Sequence, residues 1–150
     1  GHVAASGAKP APRSGAAMAA YGDLLILFGG FDGDGAARND LHLFNTTSRA
    51  WRAAPPPRNG LLPAPRGHAP FAASYAKSTR APYGGFVDDV LYVFGGSSRA
   101  VDAGVSHRHA AMALSEDTWM VNVAQLASTV PSLNWTRIST RGAVPTTAQK

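Results

Sequence analysis

The chain has 150 residues, 45% hydrophobic and 15% charged, which is apolar enough to fold as an ordinary domain and too apolar for a disordered chain. It lacks cysteine, so disulfides, thiolate chemistry and Cys-held metals are excluded, and no stretch approaches the roughly 18 apolar residues of a membrane-spanning helix. Its formal charge of +5 comes from scattered arginines with no basic run, which makes nucleic-acid binding a minor reading.

Glycine (16) and proline (11) are frequent, which suits short strands joined by turns better than long helices. The alanine-rich stretches at 16–20 and 110–113 are the one compositional feature that favours helix. The first recognisable element is Gly7-Ala8-Lys9-Pro10-Ala11-Pro12-Arg13. A small-residue segment, Ser14 to Tyr21, follows and reads as a strand. Tyr21-Gly22-Asp23 then signals a tight turn. Leu24-Leu25-Ile26-Leu27-Phe28 is short and continuously apolar, the pattern of a strand buried on both faces, and Gly29-Gly30 ends it. Asp40-Leu41-His42-Leu43-Phe44-Asn45 alternates as a third strand. Trp51-Arg52 opens a fourth, outer strand, where a large ring, like that of Trp135 further on, can cover the sheet edge.

The same order then recurs. Gly60-Leu61-Leu62-Pro63-Ala64-Pro65-Arg66 repeats G-x-x-P-A-P-R, and Gly67 to Tyr75 is again rich in small residues. Val90-Leu91-Tyr92-Val93-Phe94-Gly95-Gly96 repeats the aliphatic run with its glycine pair. Asp117-Thr118-Trp119-Met120-Val121-Asn122 repeats the acid-led strand, and Trp135-Thr136-Arg137-Ile138 closes the unit. A decayed third copy starts at Gly142-Ala143-Val144-Pro145, with Ala148 in place of arginine. The organisation expected is a first unit over 1–59, a second over 60–141, and the start of a third over 142–150. The repeat spacing is uneven, 53 residues from Gly7 to Gly60 and 82 from Gly60 to Gly142. The excess falls at roughly 76–86, 97–115 and 124–134, all between strands, where surface loops tolerate insertion. Residues 109–116 and 123–129 each suit a helical turn.

Each unit therefore reads as a four-stranded antiparallel sheet, and the fold class as all-β. One such sheet cannot bury both faces, and radial repetition of like sheets supplies the missing cover in a β-propeller. The glycine pair after an aromatic, the Asp-led strand, the aromatic Phe44 seven residues before Trp51, and the P-x-P-R stretch together resemble the kelch repeat over about residues 7–145. The resemblance implies four-stranded kelch blades. It also implies that Arg13, Arg66, Gly29, Gly30, Gly95, Gly96, Asp40, Asp117, Trp51 and Trp135 are structural rather than catalytic. The sequence departs from the repeat at Phe44, where tyrosine is usual, and at Val121 in the second unit. His68 keeps the usual R-x-H after Arg66-Gly67, whereas Gly15 or Ala16 stands there in the first unit. Two units are too few to close a ring. The chain, which begins Gly1-His2 without Met, reads as an excerpt of a longer kelch protein or as one of several copies sharing a propeller.

No catalytic constellation stands out. Asp32-Gly33-Asp34-Gly35 resembles the start of a calcium loop but lacks the later ligands of an EF-hand, and reads as an acidic turn. His107-Arg108-His109 could put two imidazoles on one strand face, with His42 or His68 as a third ligand, but reads better as a polar loop tip. Adjacent Asp88 and Asp89 point apart on a strand, and the sequons Asn45-Thr46-Thr47 and Asn134-Trp135-Thr136 lack a visible secretion signal. The inserted loop at 97–115 carries the candidate partner contacts Arg99, Asp102, His107, Arg108 and His109, because strand-connecting loops line the binding faces of propellers. The expected function is non-catalytic protein binding, as an adaptor or a subunit of a larger assembly. It would act without a cofactor, away from membranes, in an intracellular and cytoplasmic setting. Some kelch-like propellers are enzymes, galactose oxidase and sialic acid mutarotases among them. An active site built on other blades is therefore the alternative, although the copper-radical type needs a cysteine this chain lacks. A basic nucleic-acid-binding module is the second alternative.

Overall fold

The computed structural model describes residues 4–69, 71–74 (backbone), 90–98, 114–128 and 131–139. Nine strands and one short helix are assigned there, in two sheets. The first sheet contains β1 (Ser6–Gly7), β2 (Ala17–Tyr21), β3 (Leu24–Phe31), β4 (Ala37–Asn45) and β5 (Ala50–Ala53), in the order β1-β5-β4-β3-β2. The second contains β6 (Phe71–Ser74), β7 (Val90–Phe94), β8 (Thr118–Asn122) and β9 (Trp135–Ile138) in that order, with helix α1 (Val123–Ala127) between β8 and β9.

β2 through β5 pair antiparallel in simple succession, as do β6 through β9. In β2 to β5 sequence adjacency sets this order, because the short turns there can join only antiparallel neighbours; β6 to β9 keep the same order across longer links. The Tyr21↔Leu24 pair leaves Gly22-Asp23 as a two-residue turn, with Gly22 at φ 52°. The β3–β4 register slips between Phe28 and Gly30, so a bulge sits at the glycine pair.

The two sheets pack face to face. Strand periodicity puts Ile26 and Phe28 of β3 on the same side as Leu43 and Leu41 of β4, their cross-strand partners. Leu91 and Val93 likewise share a side with Val121 and Trp119, and Trp135 stands across from Val121. These side chains form one buried cluster with Val123, Leu126 and Leu133, and its centre is the Phe28–Trp135 ring contact at 5.4 Å. Full burial of each such large apolar side chain stabilises the fold by roughly 1.5–3 kcal/mol. We call the Phe28 side of the first sheet its front and the Trp135 side of the second sheet its back. The contact is thus front to back.

Three expectations are corrected here. Trp135 does not cover a sheet edge, because it is fully buried between the sheets. The backbone covers the edge of the first sheet. β1 adds to β5 in parallel, giving five strands, with Ser6 N–H donating to Arg49 O and Ala8 N–H to Trp51 O, both at 3.0 Å. In the second unit Arg58 N–H donates to Leu133 O (2.9 Å) and Asn59 Nδ2 to Trp135 O (2.7 Å), so the chain leading into the next P-A-P-R stretch runs along the outer strand again. Thirdly, the continuous apolar run of β7 is not buried on both faces. It alternates, with Leu91 and Val93 buried and Phe94 37% exposed, because no described element covers its front.

Candidate functional site

Two equivalent ion-pair clamps dominate the polar interior. Arg13 straddles Asp40 through Nη1 to Oδ1 (2.7 Å) and Nη2 to Oδ2 (3.0 Å). It also donates to the carbonyls of Gly29 (3.0 Å) and Ala11 (3.1 Å). Arg66 does the same to Asp117 (2.6 and 3.2 Å), to Gly95 O (3.0 Å) and to Ala64 O (2.9 Å). A planar guanidinium has five donors in a fixed fork, and this site uses them to tie three chain segments together. Arg66 is 1% exposed.

Burial works to raise the carboxyls of Asp40 and Asp117. The hydrogen bonds from Arg13 and His42 at Asp40, and from Arg66 and Trp119 at Asp117, outweigh it and hold both below the ordinary carboxylate value. His42 Nε2 lies 2.8 Å from Asp40 Oδ2, and Trp119 Nε1 donates to Asp117 Oδ2 at 2.6 Å, so a ring nitrogen two residues on completes each clamp. His42 Nδ1 and Trp135 Nε1 are buried without a hydrogen-bond partner among the described residues. The carboxylates are consumed by these contacts, and a general acid or base must instead be free to reach a substrate.

The remaining candidates are also placed. Asp32 closes the β3–β4 turn: its Oδ1 accepts from Asp34 N (3.0 Å) and Ala36 N (2.9 Å), and its Oδ2 pairs with Arg38. These bonds lower its pKa and leave it the anchor of a turn. His68 packs on Phe31 with ring centroids 5.5 Å apart. No group of three metal-ligating side chains is found among the described residues. Asn45 Oδ1 accepts from Ser48 N (2.7 Å), which makes that sequon asparagine a turn former, and Asn122 Oδ1 accepts from Gln125 N (3.0 Å) as the N-cap of α1. Asp88, Asp89, Arg99, Asp102, His107, Arg108 and His109 lie outside the described residues.

The feet of the inserted loop are described. Gly67 bridges Ser97, and Ser97 bridges Leu114. In the first sheet the equivalent bridges join Ser14 to Phe31, and Phe31 to Ala37. Five residues lie between Phe31 and Ala37, but sixteen between Ser97 and Leu114, so the insertion leaves and re-enters the sheet at one point. At the opposite end of the sheets, a cleft of about 530 Å³ opens between Tyr21, Asp23, Asn45, Arg52, Ala127 and Ser128. There Arg52 donates to Leu126 O at the end of α1, and burial lowers its pKa.

Over residues 2–150 the chain matches the family model described as the KLHDC2/KLHL20/DRC7 Kelch-repeats domain. It belongs to the Kelch-repeat family. No curated protein matches it. The two sheets are Kelch blades of a β-propeller, and Kelch-repeat domains are generally non-catalytic and mediate protein–protein interaction. Among the described residues no helix is long and apolar enough to cross a membrane.

The blade junction explains the departure from the kelch pattern at Gly15. Gly15 and His68 are equivalent, and both have positive φ (60° and 53°). His68 of the second blade lies over Gly15, where an added Cβ would stand 2.8 Å from its ring, and His68 N–H donates to Gly15 O at 2.7 Å. A side chain at position 15 would compete with that ring. Sequence reasoning had no signal for this, because the two residues meet only across blades.

Proposed function

We propose that this pair of Kelch blades is a non-catalytic protein-binding module, an adaptor or subunit, whose partner contacts lie on the inserted loop at 97–115. The observation that carries the reading is the loop's anchorage. Its feet are held by the Gly67–Ser97–Leu114 bridges beside the Arg66 clamp, so a long insertion is presented from a rigid base. Binding segments carried on a rigid scaffold are the usual site of recognition in such folds. Its candidate contacts are Arg99, Asp102, His107, Arg108 and His109.

The test is site-specific photo-crosslinking in cells, with the reactive group at Ser98 or Leu114 and a control at Lys9. Protein adducts of discrete mass from the loop positions, lost when the five candidates are changed to alanine, support the reading. Equal labelling at Lys9, or adducts that survive the five changes, defeats it. Release of nucleic acid instead, with strong salt dependence, would favour the basic-module reading.

A further inference from the structure

We propose that the link between the two blades, Ala54 to Arg58, is a docking ridge for a partner domain whose aromatic-lined groove reads a polyproline helix. The ridge is separate from the inserted loop at 97–115, so it stands or falls independently of the partner reading above.

Local chemistry sets the conformation. In Ala54-Pro55-Pro56-Pro57-Arg58 each proline ring fixes its own φ at about −65°, and each residue before a proline is driven to extended backbone. Three prolines in a row therefore favour the left-handed polyproline helix, which has about three residues per turn. Exposure follows that period. Ala53 and Pro56 are exposed, whereas Ala54 and Pro57 are half-buried. The inward side shares a cleft of about 240 Å³ with Leu41, Leu133 and Trp135. Backbone bonds pin both ends: Ala54 N–H donates to Leu41 O (2.8 Å) and Arg58 N–H to Leu133 O (2.9 Å).

The outward side offers what such a groove uses. Prolines have no N–H, so the ridge presents acceptors, and the carbonyls of Ala54, Pro55 and Pro56 accept no hydrogen bond among the described residues. Pro56 presents its ring to solvent. Arg58 is exposed and makes no ion pair among the described residues, so a free charge marks one end of the ridge. The two P-A-P-R stretches lack this set. Alanine interrupts their prolines, and their arginines, Arg13 and Arg66, are consumed by Asp40 and Asp117. A ridge already held in the bound conformation loses little entropy on docking. The complementary partner has aromatic rings to flank Pro56, side-chain donors for the free carbonyls, and a carboxylate beyond the groove for Arg58.

The test is binding of the 150-residue chain to purified WW, SH3 and EVH1 domains, read by fluorescence anisotropy of the labelled domain. At least one domain is expected to bind. Pro56→Ala and Arg58→Glu are each expected to weaken that binding by about tenfold or more, as loss of a contact at the centre of an interface does. Both positions are exposed, so both variants keep a cooperative melt. Pro12→Ala, in the first P-A-P-R stretch, leaves binding unchanged, and alanine in place of a groove aromatic abolishes it. Should Pro56→Ala lose its cooperative melt, Arg58→Glu carries the test. The proposal is overturned when none of the domains binds, when binding survives the changes at both 56 and 58, or when Pro12→Ala removes it. A domain that binds the free peptide of residues 53–59 but not the folded chain overturns it too, because the fold then hides the ridge.

Discussion

Changing Asp117 to alanine isolates what the buried clamp contributes. Arg66 is 1% exposed and Asp117 17%, so loss of the carboxylate strands a guanidinium in the interior with only the Gly95 and Ala64 carbonyls left to it. Breaking a buried pair from one side costs about 3–5 kcal/mol, and the indole N–H of Trp119 loses its acceptor at the same time. The equivalent Asp40→Ala change should cost less, because Asp40 is 41% exposed and solvent already screens the pair, while Arg13, itself 8% exposed, keeps the Gly29 and Ala11 carbonyls. Replacing both Arg66 and Asp117, by methionine and leucine, removes the uncompensated charge and should cost less than Asp117→Ala alone.

Urea denaturation followed by circular dichroism reads all three differences. Its pH dependence has a definite sign. The folded-state pKa of Asp117 is depressed, so its contribution is present above the unfolded carboxylate value of about 4 and is lost as pH falls through the lower folded value. Asp117→Ala should therefore flatten the acid limb of the stability curve. If Asp117→Ala and Asp40→Ala cost the same, or if the double change is worse than the single, the burial argument is wrong.

Gly29→Ala should be far more damaging than Gly95→Ala, as read by thermal melts. Both need positive φ, which costs alanine roughly 1–2 kcal/mol, but only at Gly29 would the Cβ also stand 2.4 Å from a backbone oxygen, that of Arg66. Trp135→Ala should cost about 3–5 kcal/mol and Trp51→Ala clearly less, because the first ring is buried between blades and the second is half-exposed on Phe44. Asn45→Ala and Asn122→Ala should each cost about 1 kcal/mol by freeing the N–H that the side chain accepts. Faster amide exchange at Ser48 and Gln125 would report it, and unchanged exchange would rule out the cap.

Strands and their order were legible in the sequence because they depend on local chemistry. Apolar runs bounded by turn residues mark β3 and β7, Tyr21-Gly22-Asp23 marks its turn, and the repeat of G-x-x-P-A-P-R, Phe-Gly-Gly and the acid-led strand sets the two units against each other. The positions of Arg13, Asp40, Arg66 and Asp117 could be read from the repeat, but that they form bidentate clamps could not. Arg66 and Asp117 are 51 residues apart, and only the folded sheet brings the fork to the carboxylate. Tertiary structure also decided that Trp135 is a core ring against Phe28, that Ser6–Gly7 shields the outer edge, and that Gly15 makes room for His68. Periodicity along one strand gives the side on which a residue stands. What covers that side is supplied by residues distant in the chain, and burial therefore emerges only when the blades meet.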